Sequence, residues 1–374
     1  MARLARADLV DPLEVSAFHC IQRCVRQCYL CGQDPVSGRN FEHRKAWLEE
    51  RLRFLAACFG IEVLAFAILS NHFHLVLRNR PDVVSEWTDE EVARRWLRLC
   101  PLRKEGGDSA ADVSDAELAM ILHVPERLAE VRRRLSDISW LMRMISEPIA
   151  RRANREDGVA GRFWSGRFKA VKLCDEAALL ACCAYVDLNA IRAGLARTPE
   201  DSDFTSVQRR IEARVAGATA SAEAGSGADR RPDDWLAPVF LDERADAMAA
   251  VGSSDRDASP VSRGSREPSR PPQELRARCS DKGFLPMTLD EYLKLIDWTG
   301  RQVRPGKGGS IASSVLPILD RLGISTPDWL SLAAGFGQLF ARVAGRSGAA
   351  AEWNRTRGRR FHPGQSRLLG AAKS

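Results

Sequence analysis

A chain of 374 residues with 45% hydrophobic side chains is long enough for two or three domains, each with an apolar core. Its 56 Lys and Arg against 49 Asp and Glu leave a net charge of +7, which weakly favours a polyanionic partner. No apolar run approaches the roughly 20 residues that span a bilayer, and the first residues lack the apolar stretch of a signal peptide. We therefore expect a cytoplasmic protein with no membrane partner.

The first predicted elements run from residue 16 to residue 80. Residues 16–24 have the composition of a strand, and residues 41–60 have apolar positions at helical spacing, with Asn40 as the predicted N-cap and Gly60 as the end. Two short apolar runs follow, joined by a polar turn. A strand–helix–strand–strand order indicates an α+β fold in which an antiparallel sheet carries helices on one face.

Two histidines stand at the head of the second apolar run. Side chains alternate along a strand, so His72 and His74 are predicted to lie on the same face. Two imidazoles so placed can chelate a divalent metal ion. Histidines that only pack or face solvent are the alternative, because a pair of this kind is only moderately specific.

Ten cysteines fit a reducing compartment, where thiols act as small hydrophobic side chains. Only Cys28 and Cys31 have the spacing of a zinc-ligand pair, and no second pair follows at finger or ribbon spacing. We favour unreactive thiols over a structural zinc site.

Positive charge is concentrated between residues 127 and 172, where twelve Lys and Arg face five Asp and Glu. A predicted amphipathic helix at 136–157, kinked or split at Pro148, precedes a basic and aromatic stretch at 161–173 that should form a strand. Cations among aromatic rings suit a groove for single-stranded nucleic acid. The alternative is a solvated helix face beside an aromatic core strand.

The strongest predicted helix covers residues 175–196, capped by Asp175 and ended by Gly194. Tyr185 and Asn189 are four residues apart on it, so a helix would present their hydroxyl and amide groups on one face.

The remaining sequence changes in character after residue 215. Residues 216–282 are rich in Ala, Gly, Ser, Pro and Arg, and they are predicted to be a disordered linker around a short apolar island at 235–241. Residues 283–374 contain three amphipathic helical patterns and are predicted to form a small helical C-terminal module.

Two of these segments together resemble a known family. The NHFH sequence at 71–74 and AYVDLNAIRAGL at 184–195 resemble the single-tyrosine HUH transposases, specifically the REP-associated tyrosine transposases. That family has an H-hydrophobic-H motif and a helix that reads roughly Y-I-x-x-N-P-V-R-A-G. FHCIQRCVRQCYLCG resembles its first strand and GRFWSGRFKAV its basic and aromatic ribbon. Ala190 stands where the family usually has proline. The resemblance covers about residues 13–210.

The resemblance implies a ferredoxin-like or RRM-like HUH endonuclease core at 13–215, followed by the linker (216–282) and an extension (283–374) to which it assigns no role. It implies a metal-dependent transposase that cleaves and rejoins single-stranded DNA, at hairpin or repeat ends, through a 5′-phosphotyrosine. Tyr185 would be the nucleophile, with His72 and His74 also catalytic. His72, His74 and Asn189 would hold Mg²⁺ or Mn²⁺. The implied DNA-binding residues are Arg23, Arg162, Arg167, Lys169 and Arg192.

Three alternatives stay open at this point. The chain could be a domesticated protein that binds repeat DNA without moving it, or a metal-dependent phosphodiesterase in which water is the nucleophile. It could also act as a monomer or as a homodimer that exchanges the tyrosine helix.

Overall fold

The computed structural model describes residues 9–25, 30–34, 38–102, 113–220, 231–242, 276–302, 316–357 and 364–370. Cys28 lies outside these ranges, so the structure does not place the predicted Cys28–Cys31 pair. The nine described cysteines form no disulfide. None of the described helices combines the length and the apolar character needed to cross a bilayer.

The described strands form one five-stranded sheet in the order β2-β3-β1-β4-β5. Neighbours are antiparallel except β4 and β5, which are parallel. The predicted α+β class is confirmed, and the first three strands lie where the sequence placed them. The strands are β1 (Ser16–Arg23), β2 (Ile61–Ile68), β3 (His72–Asn79), β4 (Lys169–Leu173) and β5 (Val343–Ala344).

The helices of the described residues account for most of the rest of the fold. They are α1 (Arg44–Cys58), α2 (Pro81–Glu86), α3 (Asp89–Leu99), α4 (Asp115–Leu122), α5 (Pro125–Arg134), α6 (Ile138–Asp157), α7 (Glu176–Asp187), α8 (Asn189–Arg192), α9 (Ser206–Ala220), α10 (Leu289–Gln302), α11 (Leu316–Leu322), α12 (Thr326–Leu339) and α13 (Ser347–Thr356), with a 3-10 turn at Ser366–Leu369.

Helices cover both faces of the sheet, not the single face that the sequence analysis predicted. Phe73 and Leu75 of β3 belong to a core with α1, α3 and α6. Val76 of β3 and Val171 of β4 belong to a second core with α7, α10 and α12. Both faces need cover because every residue of β2 is buried. The histidines of β3 lie on the second face.

Local predictions differ from the structure at three points. The prediction of Asn40 as N-cap was wrong: α1 begins at Arg44 after His43, while Asn40 accepts a hydrogen bond from the Glu42 backbone. Pro148 does not split α6, which is one helix from residue 138 to 157 with the proline inside it. Of the predicted basic and aromatic strand at 161–173, only β4 is a strand.

The C-terminal residues pack directly on the sheet domain. Tyr292 of α10 is fully buried, and its hydroxyl donates a hydrogen bond to Asp187 at the end of α7 (2.6 Å). Helix α12 packs against α7, and β5 adds an edge strand beside β4. One side of the second core is therefore built from residues more than a hundred positions after α7.

The described parts of the predicted linker also pack against the sheet. Trp235 is fully buried, with its ring 5.1 Å from that of Phe66, and the Ala237 N–H donates to the Val63 carbonyl. Residues 221–230 and 243–275 lie outside the described residues, so the predicted disorder is not tested there.

Candidate metal and nucleophile site

The two predicted metal-ligand histidines lie side by side on β3. The turn at Ser70–Asn71 starts the strand, and the alternation of side chains then sends His72 and His74 to the face covered by α7. Their ring centroids are 4.8 Å apart. His74 is 2% exposed, while His72 is half-buried at the rim.

Each of these two rings has its Nδ1 atom held by a neighbour. His72 Nδ1 lies 2.6 Å from Asn71 Oδ1, and His74 Nδ1 lies 2.9 Å from His19 Nε2. His74 Nε2 is buried without a hydrogen-bond partner among the described residues. Because an Nδ1–H donated to a neighbour leaves Nε2 with a free lone pair, both rings can offer Nε2 to a metal ion.

His19 is a member of the site that sequence analysis missed. It is fully buried on β1, and its ring is stacked on that of His74 with centroids 5.1 Å apart. It has no ligand spacing to another histidine in the sequence. The signal that could have found it is its place on the strand that lies between β3 and β4, and this order is visible only once the sheet is assembled.

Tyr185 comes to the histidines on α7. Its ring centroid is 5.7 Å from that of His74 and 5.8 Å from that of His19. Asp175 accepts a hydrogen bond from the Ala178 N–H, and so caps α7 as predicted. The long apolar face of this helix fixes it on the sheet, so the tyrosine is 8% exposed.

Two further predicted site residues, Asn189 and Arg192, follow α7. The predicted single helix is interrupted at Leu188, and α8 begins at Asn189. Asn189 is buried, with Nδ2 unpartnered among the described residues. The guanidinium carbon of Arg192 lies 4.5 Å from the centroid of the Tyr185 ring, and its buried Nη1 also lacks a partner in the described part of the chain.

Helix α12 covers the outer side of the tyrosine. The Phe336 ring lies 6.2 Å from the rings of both Tyr185 and His19. Gly337 approaches so closely that a Cβ atom there would lie 3.0 Å from the Tyr185 hydroxyl oxygen. The C-terminal residues are thus part of the wall of the site.

The other four predicted DNA-binding residues are exposed. Arg23 is exposed at the end of β1, directly opposite His72 in the sheet register. Arg167 and Lys169 are exposed and line one cleft with residues of α12. Arg162 is exposed in the segment before β4. None of these four makes an ion pair with a described residue.

The site keeps its histidines neutral. Burial lowers the pKa of His19 to about 3, helped by the nearby His72. Burial and the charge of Arg23 lower the pKa of His72 to about 4, and burial lowers the pKa of His74 well below its ordinary value. Neutral imidazole is the form that binds metal ions.

These shifts predict an acid-labile fold for the metal-free protein. In the unfolded chain the three histidines take up protons near pH 6.5, whereas in the native protein they stay neutral. The free energy of unfolding should therefore fall as the pH drops from about 6.5 towards 4. Each histidine should contribute about 1.4 kcal/mol per pH unit to this slope. Urea unfolding at a series of pH values measures this slope. His19→Gln should lower the slope by about one-third, whereas exposed His123→Gln should not change it. A slope identical in both variants would contradict the assignment.

Residues of other types must complete any metal site here. Among the described residues, no group of three His, Cys, Asp or Glu side chains is arranged to hold a metal ion. His74 Nε2 and Asn189 Nδ2 are both buried and unpartnered among the described residues. Since the nitrogen and oxygen of an amide exchange by a flip, these residue types are compatible with a site of two imidazoles and one amide oxygen.

Comparison of the chain with protein-family models and with curated proteins finds no match. Among solved structures, it is similar to one described as a REP-associated tyrosine transposase bound to a REP hairpin. The likeness covers 62% of this chain and 95% of that chain, at 12% identity and a TM-score of 0.30.

Proposed function

We propose that this protein is a metal-dependent DNA nickase and strand transferase, a transposase of the HUH type, in which Tyr185 attacks single-stranded DNA. One contact carries the proposal: the centroid of the Tyr185 ring lies 5.7 Å from that of the His74 ring, although the two residues are 111 positions apart in the sequence. Paired imidazoles with free Nε2 atoms can hold a metal ion, which is a Lewis acid. Tyr185 would then be a nucleophile placed beside that ion.

His72 and His74 would hold Mg²⁺ or Mn²⁺ through Nε2, with the Asn189 amide oxygen as a third ligand. When bound, the ion supplies Lewis-acid polarisation of a phosphate oxygen. In the tautomer that leaves Nε2 of His74 free for the ion, His19 Nε2 accepts the His74 Nδ1–H and fixes that ring, as Asn71 Oδ1 does for His72.

The proposed step exchanges one phosphodiester bond for another. The Tyr185 oxygen forms a bond to phosphorus, and the bond between phosphorus and the 3′ oxygen breaks. The 3′ oxygen leaves with the electron pair and takes up a proton, while the phenol proton passes to solvent. The unpartnered Arg192 Nη1 is available to a phosphate oxygen beside the tyrosine. Attack by another 3′-OH reverses the step and joins two strands.

Single-stranded DNA is the proposed substrate because of how the site is reached. Tyr185 and His74 are buried, and half-buried His72 marks the open rim beside exposed Arg23. A stacked duplex would hold its phosphates on a stiff cylinder outside this rim, whereas an unpaired strand can bend into it. Hairpin or repeat ends supply such unpaired segments.

One incubation tests the proposal. The protein is mixed with end-labelled single-stranded hairpin DNA and Mn²⁺ or Mg²⁺, and the products are separated on a denaturing gel. A band of protein-linked DNA that needs the metal supports the proposal. Cleavage without any protein-linked DNA would point to water as the nucleophile, and binding without cleavage would point to a DNA-binding protein that no longer cuts.

Gly337→Ala should slow adduct formation about tenfold, because the new methyl group would press on the Tyr185 hydroxyl and misplace the attacking oxygen. Rates of protein-linked DNA formation measure the effect. Gly348→Ala is the matched control, since a Cβ there meets nothing within 4 Å. Equal rates in the two variants would show that the close approach at Gly337 does not matter for the reaction.

A further inference from the structure

A cleft of about 290 Å³ opens beside the proposed site, between the sheet and the end of α12. One wall comes from β1 and β4 and from the residues just before β4. The other comes from the C-terminal chain at 337–342. The charged and amide side chains that line the cleft are Arg167, Lys169, Gln338 and Arg342.

Among the described residues, the charged side chains that line this cleft are all positive. They are Arg167, Lys169 and Arg342, and none of the three makes an ion pair with a described residue. Other arginines of the chain are paired, such as Arg209 with Glu49. Another cleft, at 199–215 and 290–297, has acidic and basic residues together. Three unpaired cations in a concave site favour an anionic ligand.

Gly337 lies between the cleft and Tyr185. This residue lines the cleft and also packs on the Tyr185 hydroxyl, where its added Cβ would lie 3.0 Å away. Ile21, on the opposite wall, pairs in register with both His74 and Lys169. A ligand in the cleft would therefore be separated from the Tyr185 hydroxyl by the backbone of Gly337, which contacts both.

The size and lining of the cleft select among anions. Its volume is near the lower end of the range of about 300–1,000 Å³ for small-ligand pockets, which suits one nucleotide and excludes a duplex. The partly exposed Ile21 offers apolar surface to a sugar or base. The exposed Gln338 amide can donate to and accept from a base edge.

We propose that this cleft binds the nucleotide that neighbours the scissile phosphate in single-stranded DNA, with Arg342 and Gln338 of the C-terminal chain as its binding residues. The inference rests on the proposed function for the position of the scissile phosphate. It gives the C-terminal residues a substrate-binding role in the same cleft as Arg167 and Lys169.

Arg342→Ala should weaken binding of a labelled single-stranded oligonucleotide about tenfold and reduce the slope of log affinity against log salt by about 0.7, the loss of one phosphate contact. Fluorescence anisotropy at several salt concentrations measures both. Arg301→Ala, which removes an exposed arginine paired with Asp297 in the same part of the chain, should change neither. Blunt duplex DNA should bind Arg342→Ala as it binds the unchanged protein.

Oligonucleotides with a single uncharged methylphosphonate locate the contact. A methylphosphonate at one position next to the cleavage site should weaken binding to the unchanged protein. The same oligonucleotide should bind Arg342→Ala no more weakly than the unmodified one does. Equal losses in both proteins at every position would overturn the inference. The inference would also be overturned if binding of the mononucleotide dTMP depended on Arg342 while binding of single-stranded DNA did not. Equal or tighter binding of the same sequence as RNA would also overturn it.

The two proposals can fail separately. If protein-linked DNA forms and Arg342→Ala behaves as Arg301→Ala does, the cleft inference is wrong and the proposed function stands. If no protein-linked DNA forms but the methylphosphonate effect at one position depends on Arg342, the cleft binds DNA and the proposed chemistry is wrong.

Discussion

Tyr185→Phe should abolish protein-linked DNA, lowering its rate of formation at least about a thousandfold, because the variant lacks the oxygen that attacks phosphorus. The fold should tolerate the change. The ring keeps its packing, with the Arg192 guanidinium over it, and the hydroxyl has no hydrogen-bond partner among the described residues. We expect the free energy of unfolding to stay within about 0.5 kcal/mol.

Binding and cleavage must be measured together in this variant. Affinity for single-stranded DNA should match that of the unchanged protein, since the phosphate contacts come from other residues. Tyr292→Phe is a control for loss of a tyrosine hydroxyl elsewhere: it loses the buried hydrogen bond to Asp187, so it should be less stable yet still form the adduct. Adduct formation that survives in Tyr185→Phe would remove the tyrosine from the chemistry.

His74→Ala should remove Mn²⁺ binding and adduct formation together, because it deletes the buried imidazole whose Nε2 has no other partner in the described structure. Because His74 is 2% exposed, the substitution also leaves a cavity. His72→Ala, at the half-buried rim, should lose metal binding with a smaller loss of stability. Calorimetric titration with Mn²⁺ and thermal unfolding of the metal-free variants separate the two effects.

His19 gives this prediction a graded control. His19→Phe keeps a ring in the core but removes the acceptor for His74 Nδ1–H, so Mn²⁺ affinity should fall about 10–100-fold. His19→Gln can still accept that hydrogen bond and should recover part of the affinity. Unchanged Mn²⁺ affinity in both His72→Ala and His74→Ala would show that the histidines do not bind the metal ion.

Parts of this arrangement can be predicted from sequence because they depend on local periodicity. The alternation of β3 places His72 and His74 on one face, and the apolar pattern after Asp175 predicts the helix that carries Tyr185. The α+β class follows from the order of these elements. The association of the tyrosine with the histidine pair came from the family resemblance, because no local pattern links residues so far apart.

The remainder depends on contacts between distant segments. His19 joins the site only because β1 lies beside β3, and nothing around it in the sequence marks it. Gly337 lies on an ordinary amphipathic helix pattern, which does not specify where that helix docks. The two-residue strand β5 is too short to give a periodic signal. The helix break at Leu188 sets the position of Asn189, and no glycine or proline at the break marks it in the sequence.

The central claim is that Tyr185 becomes covalently joined to DNA beside the histidine pair, and one measurement tests it most directly. The protein is allowed to react with single-stranded hairpin DNA in Mn²⁺, digested with nuclease and protease, and analysed by mass spectrometry. The chain has three tyrosines, so the modified residue can be assigned without ambiguity. The account predicts a nucleotide mass on the peptide that contains Tyr185. A nucleotide on Tyr29 or Tyr292, or cut DNA with no modified tyrosine, would contradict it.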